Sequence, residues 1–257
     1  MSLAGKKALV TGGRRNIGRG IALALAQAGC DLGINDLEAD AVGEETVRLL
    51  RAAGREAEFF QADIADAVQV QAMVDAFRAR FGRVDILVNN AFTAESCPFL
   101  EIPEAVWDRT LNVCLKGYFL CSQRAARVMA GQGEGGCIVS ISSVHAGRVW
   151  PRDTCYGVAK AGIVRLPQSM AVDLAEYGIR CNAVLPGYVD TAHGFGTPAP
   201  LPGSMPERLR GFIPAQRYST PEDIGRAVVF LCSPSAASIT GAALPVDGGL
   251  LVTGIAP

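Results

Sequence analysis

Tyr156 and Lys160 stand four positions apart in a stretch whose apolar spacing predicts a helix over 154–177. Side chains at i and i+4 share a helix face, so the phenol and the ammonium are expected to be neighbours. A tyrosine with its ordinary pKa of about 10 is a poor base at neutral pH, and a nearby positive charge lowers that pKa. The pair is therefore a candidate for general acid–base catalysis, and a surface Tyr–Lys pair is the alternative.

Two more polar residues precede this pair. Ser143 lies 13 residues before Tyr156, just beyond a predicted strand over 137–141. Its hydroxyl is placed to polarise a carbonyl or to hold an alcohol, and Ser142 is the neighbouring alternative. His145 either faces the substrate or is an ordinary loop histidine. Neither His145 nor His193 has neighbours at metal-ligand spacing, so no metal site is expected.

A glycine-rich turn joins the first predicted strand (7–11) to the first predicted helix (17–28). Its glycines let the backbone approach a phosphate, and the helix N-terminus offers unpaired N–H groups and a positive dipole end. An ordinary tight strand–helix turn is the alternative.

The run from Thr11 to Gly18, Thr-Gly-x-x-x-x-x-Gly, resembles the cofactor fingerprint of the short-chain dehydrogenase/reductase family. Asn16 stands where that fingerprint has a further glycine, and asparagine is among the residues that best tolerate positive φ. Asn89-Asn90-Ala91 resembles the family's Asn-Asn-Ala-Gly motif, with Phe92 in place of the final glycine. The resemblance extends from the first predicted strand to the last.

The resemblance implies roles for particular residues. In order and spacing, four residues match the family's catalytic tetrad: Asn112, Ser143, Tyr156 and Lys160. Asn112 would hold a water against the lysine. The implied cofactor-binding residues are Gly12, Arg15, Asn16, Ile17, Gly18, Asp36, Asp63, Ile64, Asn90, Ala91, Tyr156, Lys160, Pro186, Gly187, Val189 and Thr191.

Two signals conflict over the form of the cofactor. Asp36 ends the second predicted strand, where a carboxylate accepts hydrogen bonds from the ribose of NAD and repels the 2′-phosphate of NADP. Arg14 and Arg15, in the glycine-rich turn, would instead attract that phosphate. NAD is favoured over NADP, because repulsion by a poorly solvated carboxylate is harder to offset than a flexible arginine is to redirect.

Composition excludes several classes of protein. Apolar residues make up 49% of the 257 residues, and the net charge is −1, so disorder and nucleic-acid binding are not expected. No apolar stretch reaches the roughly 20 residues that a membrane span needs. The eight cysteines contain no CxxC pair, which favours free thiols in a reducing, cytoplasmic compartment.

Strand and helix patterns alternate along the whole chain without a shift in composition. This predicts an α/β fold: a Rossmann-type, doubly wound, seven-stranded parallel sheet in a single domain over 1–257. Residues 192–214 contain five prolines and four glycines, so a substrate lid is expected at about 192–216. Pro167, inside the predicted helix over 154–177, is expected to kink it.

The function that follows is metal-independent hydride transfer between a nicotinamide cofactor and an alcohol or ketone, by a short-chain dehydrogenase/reductase acting on CH–OH groups. Reduction of 3-oxoacyl groups on a carrier protein is a more specific alternative. A non-catalytic NAD(P)-sensing protein is an alternative of another class, and a nucleotide-sugar epimerase or dehydratase is disfavoured by length. The resemblance also implies a homotetramer.

Overall fold

A computed structural model describes residues 1–191 and 210–253. Its seven strands form one parallel sheet in the order β3-β2-β1-β4-β5-β6-β7. The chain therefore reverses its direction of travel across the sheet between β1 and β4, where a doubly wound fold opens a crevice at the carboxyl ends of its strands. The strands are β1 (Lys7–Thr11), β2 (Asp31–Asp36), β3 (Ala57–Gln61), β4 (Ile86–Asn89), β5 (Gly136–Ile141), β6 (Ile179–Pro186) and β7 (Ala243–Val246).

Helices cover both faces of this sheet, as the sequence predicts. One core contains Val10 and Val88 and is closed by α1, α2 and α7, whereas the other contains Leu9 and Leu87 and is closed by α3, α5 and α6. Neighbouring strand residues face opposite layers, so strands covered on both faces are apolar throughout. The helices in the described residues are α1 (Asn16–Gln27), α2 (Ala41–Ala52), α3 (Ala67–Phe81), α4 (Glu104–Leu111), α5 (Gly117–Gln132), α6 (Thr154–Asp173) and α7 (Pro221–Cys232).

Three helix starts are fixed by side-chain caps. Asp40 and Asp66 accept hydrogen bonds from the first backbone N–H groups of α2 and α3, and Thr220 forms a capping box with Asp223 at α7. Helix α1 differs, because Arg15 at its N-cap position makes no side-chain cap. The first turn of α1 therefore keeps its N–H groups for another acceptor.

The apolar pattern over 104–129 predicts one long helix, but in the structure this region contains a π-helical turn. α4 and α5 are joined by Asn112–Lys116, where the N–H of Gly117 reaches the carbonyl of Asn112. Such single π turns occur mostly at functional sites. Helix α6, in contrast, continues through the buried Pro167 and ends at Asp173.

The structure also bears on the cysteines, on membrane-spanning helices and on the predicted lid. All eight cysteines are free thiols. No helix within 1–191 or 210–253 is long and apolar enough to cross a membrane. The predicted lid lies mostly outside the described residues, which include only its last part, 210–216, and His193 lies outside them too.

Candidate active site

Ser143, Tyr156 and Lys160 meet at the carboxyl end of β5. Ser143 is the second residue after this strand, and its side chain faces the Tyr156 phenol and lowers the pKa of that phenol. Tyr156 and Lys160 lie on one face of α6, with the lysine Nζ 5.3 Å from the centre of the tyrosine ring. The helix and the strand end thus bring together three residues that the sequence singled out.

The Lys160 amine is buried and is held by the main chain. Its side chain is 2% exposed, and Nζ donates a hydrogen bond to the carbonyl oxygen of Ile141 at 2.8 Å. Burial lowers the pKa of Lys160 to about 8. The rings of Phe92 and Tyr118 also lie against it, with centres 5.9 and 5.6 Å from Nζ.

The pKa of Tyr156 differs from the expectation that Lys160 lowers it. Burial raises this pKa above its ordinary value; the Cys114 thiol and the Asp153 carboxylate raise it further, while the Ser143 hydrogen bond lowers it. The lysine amine is directed at the Ile141 carbonyl. Desolvation therefore outweighs the effect that sequence spacing suggests.

The two adjacent serines have different partners. Ser142 is 2% exposed, and its hydroxyl donates to the backbone oxygen of Lys160 at 2.7 Å. The Ser143 hydroxyl lowers the pKa of the Tyr156 phenol and accepts the N–H of His145 at 3.2 Å. Ser142 thus braces helix α6 against β5, and Ser143 is the serine that faces the phenol.

The π turn brings Cys114 near the catalytic pair. Cys114 is fully buried; its thiol donates to the Thr93 carbonyl (3.2 Å) and accepts the Thr93 N–H (3.3 Å). It perturbs the pKa of both Tyr156 and Lys160. Asn112 is partly buried, and its side chain makes no hydrogen bond within the described part of the chain. Reasoning from the sequence missed Cys114, although its position two residues after Asn112 was visible.

Phe92 lies over the catalytic pair. Its ring is 60% exposed and meets the Tyr156 ring edge-on, with centres 6.2 Å apart. The phenylalanine that replaces the motif's glycine thus forms a wall of the site.

The glycine-rich turn is packed closely against the end of β4. A Cβ on Gly12 would lie 2.7 Å from the Ala91 backbone, and one on Gly18 would lie 2.0 Å from the Gly12 carbonyl. Asn90 donates its side-chain amide to the carbonyls of Thr11 (3.1 Å) and Gly12 (3.0 Å). Asn16 has φ of 51°, the left-handed conformation that asparagine tolerates better than most residues.

Arg14 is engaged by the acidic group that ends β2. Its guanidinium lies 3.8 Å from Asp36 and 2.7 Å from Glu38, and it also pairs with Asp40. Arg14 is 6% exposed. Arg15, in contrast, is exposed and pairs with none of the described carboxylates. One arginine among three carboxylates leaves the local charge negative.

The other predicted cofactor residues line the same carboxyl edge of the sheet. Asp63 accepts the N–H of Ala65 at 2.8 Å, and Ile64 is buried against Gly117. Pro186 ends β6, and a Cβ on Gly187 would lie 2.8 Å from Asp247. Val189 pairs with Ser219, and Thr191 is partly buried.

A dinucleotide fits these features. The turn has no room for further side chains, the start of α1 has N–H groups without a side-chain cap, and a carboxylate ends β2. Such a turn and helix start bind a pyrophosphate. Within 1–191 and 210–253, no three His, Cys, Asp or Glu side chains are grouped to hold a metal ion.

Comparison with known proteins agrees with this geometry. A family model described as enoyl-(acyl carrier protein) reductase matches residues 12–251. The chain is 40% identical over 250 residues to an L-rhamnose 1-dehydrogenase (NAD(P)(+)) of Sphingomonas sp. (strain SKA58), covering 97% of this chain and 98% of the relative. The chain belongs to the short-chain dehydrogenase/reductase family. As a family member it is an NAD(P)-dependent oxidoreductase of alcohols and ketones.

Other similar members have different names. A 3-oxoacyl-[acyl-carrier-protein] reductase of Staphylococcus aureus is 37% identical over 245 residues, with 95% of this chain and 98% of the relative covered. A putative short-chain alcohol dehydrogenase from Sinorhizobium meliloti 1021 has a similar crystal structure, with a TM-score of 0.91, 37% identity and 98% of both chains covered. The fold and the family are thus shared, while the named activities differ.

Proposed function

We propose that Ser143, Tyr156 and Lys160 catalyse hydride transfer between a nicotinamide cofactor and an alcohol or ketone substrate. The observation that carries this proposal is the Tyr156 phenol, which faces Ser143 at the end of β5 and lies one helical turn from the buried Lys160 amine, with Nζ 5.3 Å from the ring centre. A non-catalytic cofactor sensor has no need of this arrangement.

Each residue has a role in the reductive direction. The Tyr156 hydroxyl donates its proton to the carbonyl oxygen, and the Ser143 hydroxyl donates a hydrogen bond to the same oxygen. Lys160 stabilises the phenolate that remains and binds the cofactor ribose. When bound, the nicotinamide would supply the hydride, and its oxidised ring would lower the pKa of Tyr156 by its positive charge.

The fourth catalytic position has two candidates. Family resemblance assigns to Asn112 the water that contacts Lys160. Cys114 is the second candidate, because its buried thiol belongs to the same π turn and makes two hydrogen bonds with Thr93, the neighbour of Phe92. Variants of the two residues discriminate between the assignments, as described in the Discussion.

NAD is proposed as the preferred cofactor over NADP, bound by the sixteen cofactor residues that the resemblance implies. The supporting observation is that Arg14 is already paired with Asp36, Glu38 and Asp40. A 2′-phosphate placed there would meet net negative charge, and two ribose hydroxyls could instead donate to Asp36. Exposed Arg15 is the residue that would favour NADP.

The proposed substrate class is hydroxylated small molecules, in the oxidative direction. The L-rhamnose dehydrogenase is the relative that supports it. A 3-oxoacyl thioester is the second candidate, supported by the S. aureus reductase. We propose residues 192–216 as the lid over this substrate.

A homotetramer in the cytoplasm completes the proposal. The outer faces of α5 and α6 expose apolar side chains, Phe119 (44% exposed) and Val172 (78% exposed) among them, which self-association would bury. Eight free thiols support a reducing compartment. Light scattering on the purified protein tests the tetramer.

The activity itself is tested with two substrates. Purified protein is assayed with NAD⁺ or NADP⁺ and L-rhamnose, and with NADH or NADPH and acetoacetyl-CoA. We expect NAD⁺-dependent oxidation of the sugar, and loss of turnover in Tyr156→Phe with NADH binding intact. Retained turnover in Tyr156→Phe contradicts the catalytic assignment, and thioester reduction alone would favour the second substrate class.

A further inference from the structure

His145 and Asp153 join the two ends of the segment that separates Ser143 from Tyr156. The imidazole Nδ1 lies 2.5 Å from the Asp153 Oδ2, and their side chains are only 11% and 16% exposed. His145 belongs to the turn after β5, and Asp153 immediately precedes helix α6. The pair therefore links the element that carries Ser143 to the element that carries Tyr156.

The Asp153 carboxylate does not cap helix α6, although Asp153 stands at the N-cap position. It occupies the N-cap position of α6, where an aspartate ordinarily accepts backbone N–H groups, as Asp40 and Asp66 do at α2 and α3. At α6 there is no side-chain cap, although the Asp153 backbone oxygen accepts the N–H of Gly157 at 2.8 Å. The helix thus lacks a cap, and the carboxylate is bonded to His145 instead.

The backbone immediately before Asp153 is also strained. Arg152 has φ of 63°, a left-handed conformation that is unfavourable for a residue with a side chain. Its carbonyl accepts hydrogen bonds from the N–H of Cys97 (3.1 Å) and the hydroxyl of Ser96 (3.3 Å). Local strain that the surrounding structure maintains is found mainly at functional sites.

His145 also contacts both catalytic residues directly. Its backbone N–H donates to the Ser143 hydroxyl oxygen at 3.2 Å. Its ring is nearly perpendicular to the Tyr156 ring, with centres 5.3 Å apart, and it stacks on Trp150 with centres 4.1 Å apart. One residue thus touches the serine and the tyrosine while Asp153 and Trp150 hold its ring in place.

We propose that His145 and Asp153 are positioning residues that hold the Ser143 hydroxyl in register with the Tyr156 phenol. The inference rests on the proposed function of those two residues. Small errors in such a geometry are costly, because a displacement of about 1 Å can reduce a rate by roughly 100-fold. A positioning role predicts an effect on kcat, whereas direct contact with substrate predicts an effect mainly on KM.

Two substitutions of His145 separate its hydrogen bond from its ring. His145→Asn keeps an N–H donor close to the position of Nδ1, and His145→Phe keeps the stacking on Trp150 but removes the donor. Turnover is measured with L-rhamnose and NAD⁺ and with acetoacetyl-CoA and NADH, and NADH binding is measured by fluorescence. We expect His145→Phe to lower kcat by about ten- to 100-fold, and His145→Asn to retain it within about three-fold.

Asp153→Ala and the double variant test whether the two residues act as one unit. The double variant should lose no more activity than the worse single variant, because each change breaks the same bond. Crystal structures of the two His145 variants give a readout that needs no turnover. The Ser143 and Tyr156 hydroxyls should keep their wild-type separation in His145→Asn and move apart in His145→Phe.

Several results would overturn the inference. A positioning role would be excluded by an unchanged separation of the Ser143 and Tyr156 hydroxyls in both crystal structures. It would also be excluded by an unchanged kcat in His145→Phe, or by a change confined to KM. Failure of the proposed function is distinguishable, because it would show as turnover retained in Tyr156→Phe or absent from the wild-type protein with both substrates.

Discussion

The Nζ atom of Lys160 donates a hydrogen bond to the carbonyl oxygen of Ile141, the last residue of β5, at 2.8 Å. The Tyr118 hydroxyl donates to the same oxygen at 3.3 Å. The catalytic helix is thereby attached to the strand end that precedes Ser143. The lysine is held in a buried, aromatic environment where its charged form is disfavoured, since burial lowers its pKa to about 8.

This burial makes stability depend on pH. The Lys160 pKa is lower in the folded chain, about 8, than the ordinary value of 10.5, so folding releases a proton between these limits. The cost of burying Lys160 is therefore full below about pH 8 and is relieved as pH rises towards 10.5. At about 1.4 kcal/mol per pKa unit, it amounts to about 3 kcal/mol.

Lys160→Met is therefore expected to be more stable than the wild type at pH 7, with the difference shrinking between pH 8 and 10.5. Urea unfolding of both proteins across this pH range measures the difference in their free energies of unfolding. A constant difference at all pH values would show that Lys160 does not titrate in this window.

Ser143→Ala is expected to lower kcat by about 100-fold, because it removes a donor to the reacting oxygen. Ser142→Ala is the matched control. Among the described residues its hydroxyl bonds only to the Lys160 backbone oxygen, so about 1 kcal/mol of stability should be lost while kcat stays near that of the wild type. Steady-state kinetics and thermal unfolding measure both effects. The opposite pattern would assign catalysis to Ser142.

Cys114→Ala is expected to lower kcat more than Asn112→Ala. The thiol holds Thr93, the neighbour of Phe92, through two hydrogen bonds, so its removal should lower kcat about ten-fold. Asn112→Ala should change kcat by less than about two-fold. Cys114→Ser, which keeps a donor and an acceptor, is the control. A larger loss in Asn112→Ala would support the family assignment.

Asp36→Asn is expected to narrow the preference for NADH over NADPH. Removing one carboxylate from the group around Arg14 reduces the repulsion of a 2′-phosphate and weakens acceptance from the ribose. A change of about 1.4 kcal/mol would alter the ratio of Kd values about ten-fold. Fluorescence titration with each nucleotide measures this ratio.

Two further variants serve as controls for this ratio. Glu38→Gln removes a charge at an exposed position of the same acidic group, and it should change the ratio less. Arg15→Gln tests the competing arginine. If NADPH binds more tightly than NADH in the wild type and Arg15→Gln abolishes the difference, Arg15 rather than Asp36 selects the cofactor.

Asn16→Ala is expected to destabilise the fold by about 1 kcal/mol, because alanine at φ of 51° is strained. It should also weaken NADH binding by displacing the turn that starts α1. Asn16→Gly removes the side chain without that strain and should retain both stability and binding. Thermal unfolding and fluorescence titration measure the effects. If Asn16→Gly loses as much stability and NADH binding as Asn16→Ala, the Asn16 side chain rather than its backbone conformation is responsible.

The sequence by itself determined the layers of the fold, the order of its elements and the placement of Tyr156 and Lys160 on one helix face. Periodicity is a local property: apolar strands, amphipathic helices and the i, i+4 spacing of Tyr156 and Lys160 need no knowledge of distant contacts. The left-handed conformation of Asn16 is likewise a local property, because asparagine tolerates positive φ at a turn position where the fingerprint has glycine.

Only the tertiary structure decided which neighbours these residues meet. Burial set the pKa directions of Tyr156 and Lys160 against the expectation from spacing, because desolvation depends on every element packed around the pair. The hydrogen bonds between Cys114 and Thr93, and the pairing of Arg14 with three carboxylates, also join residues far apart in the chain. Such contacts leave no periodic signal, since they depend on how whole elements pack.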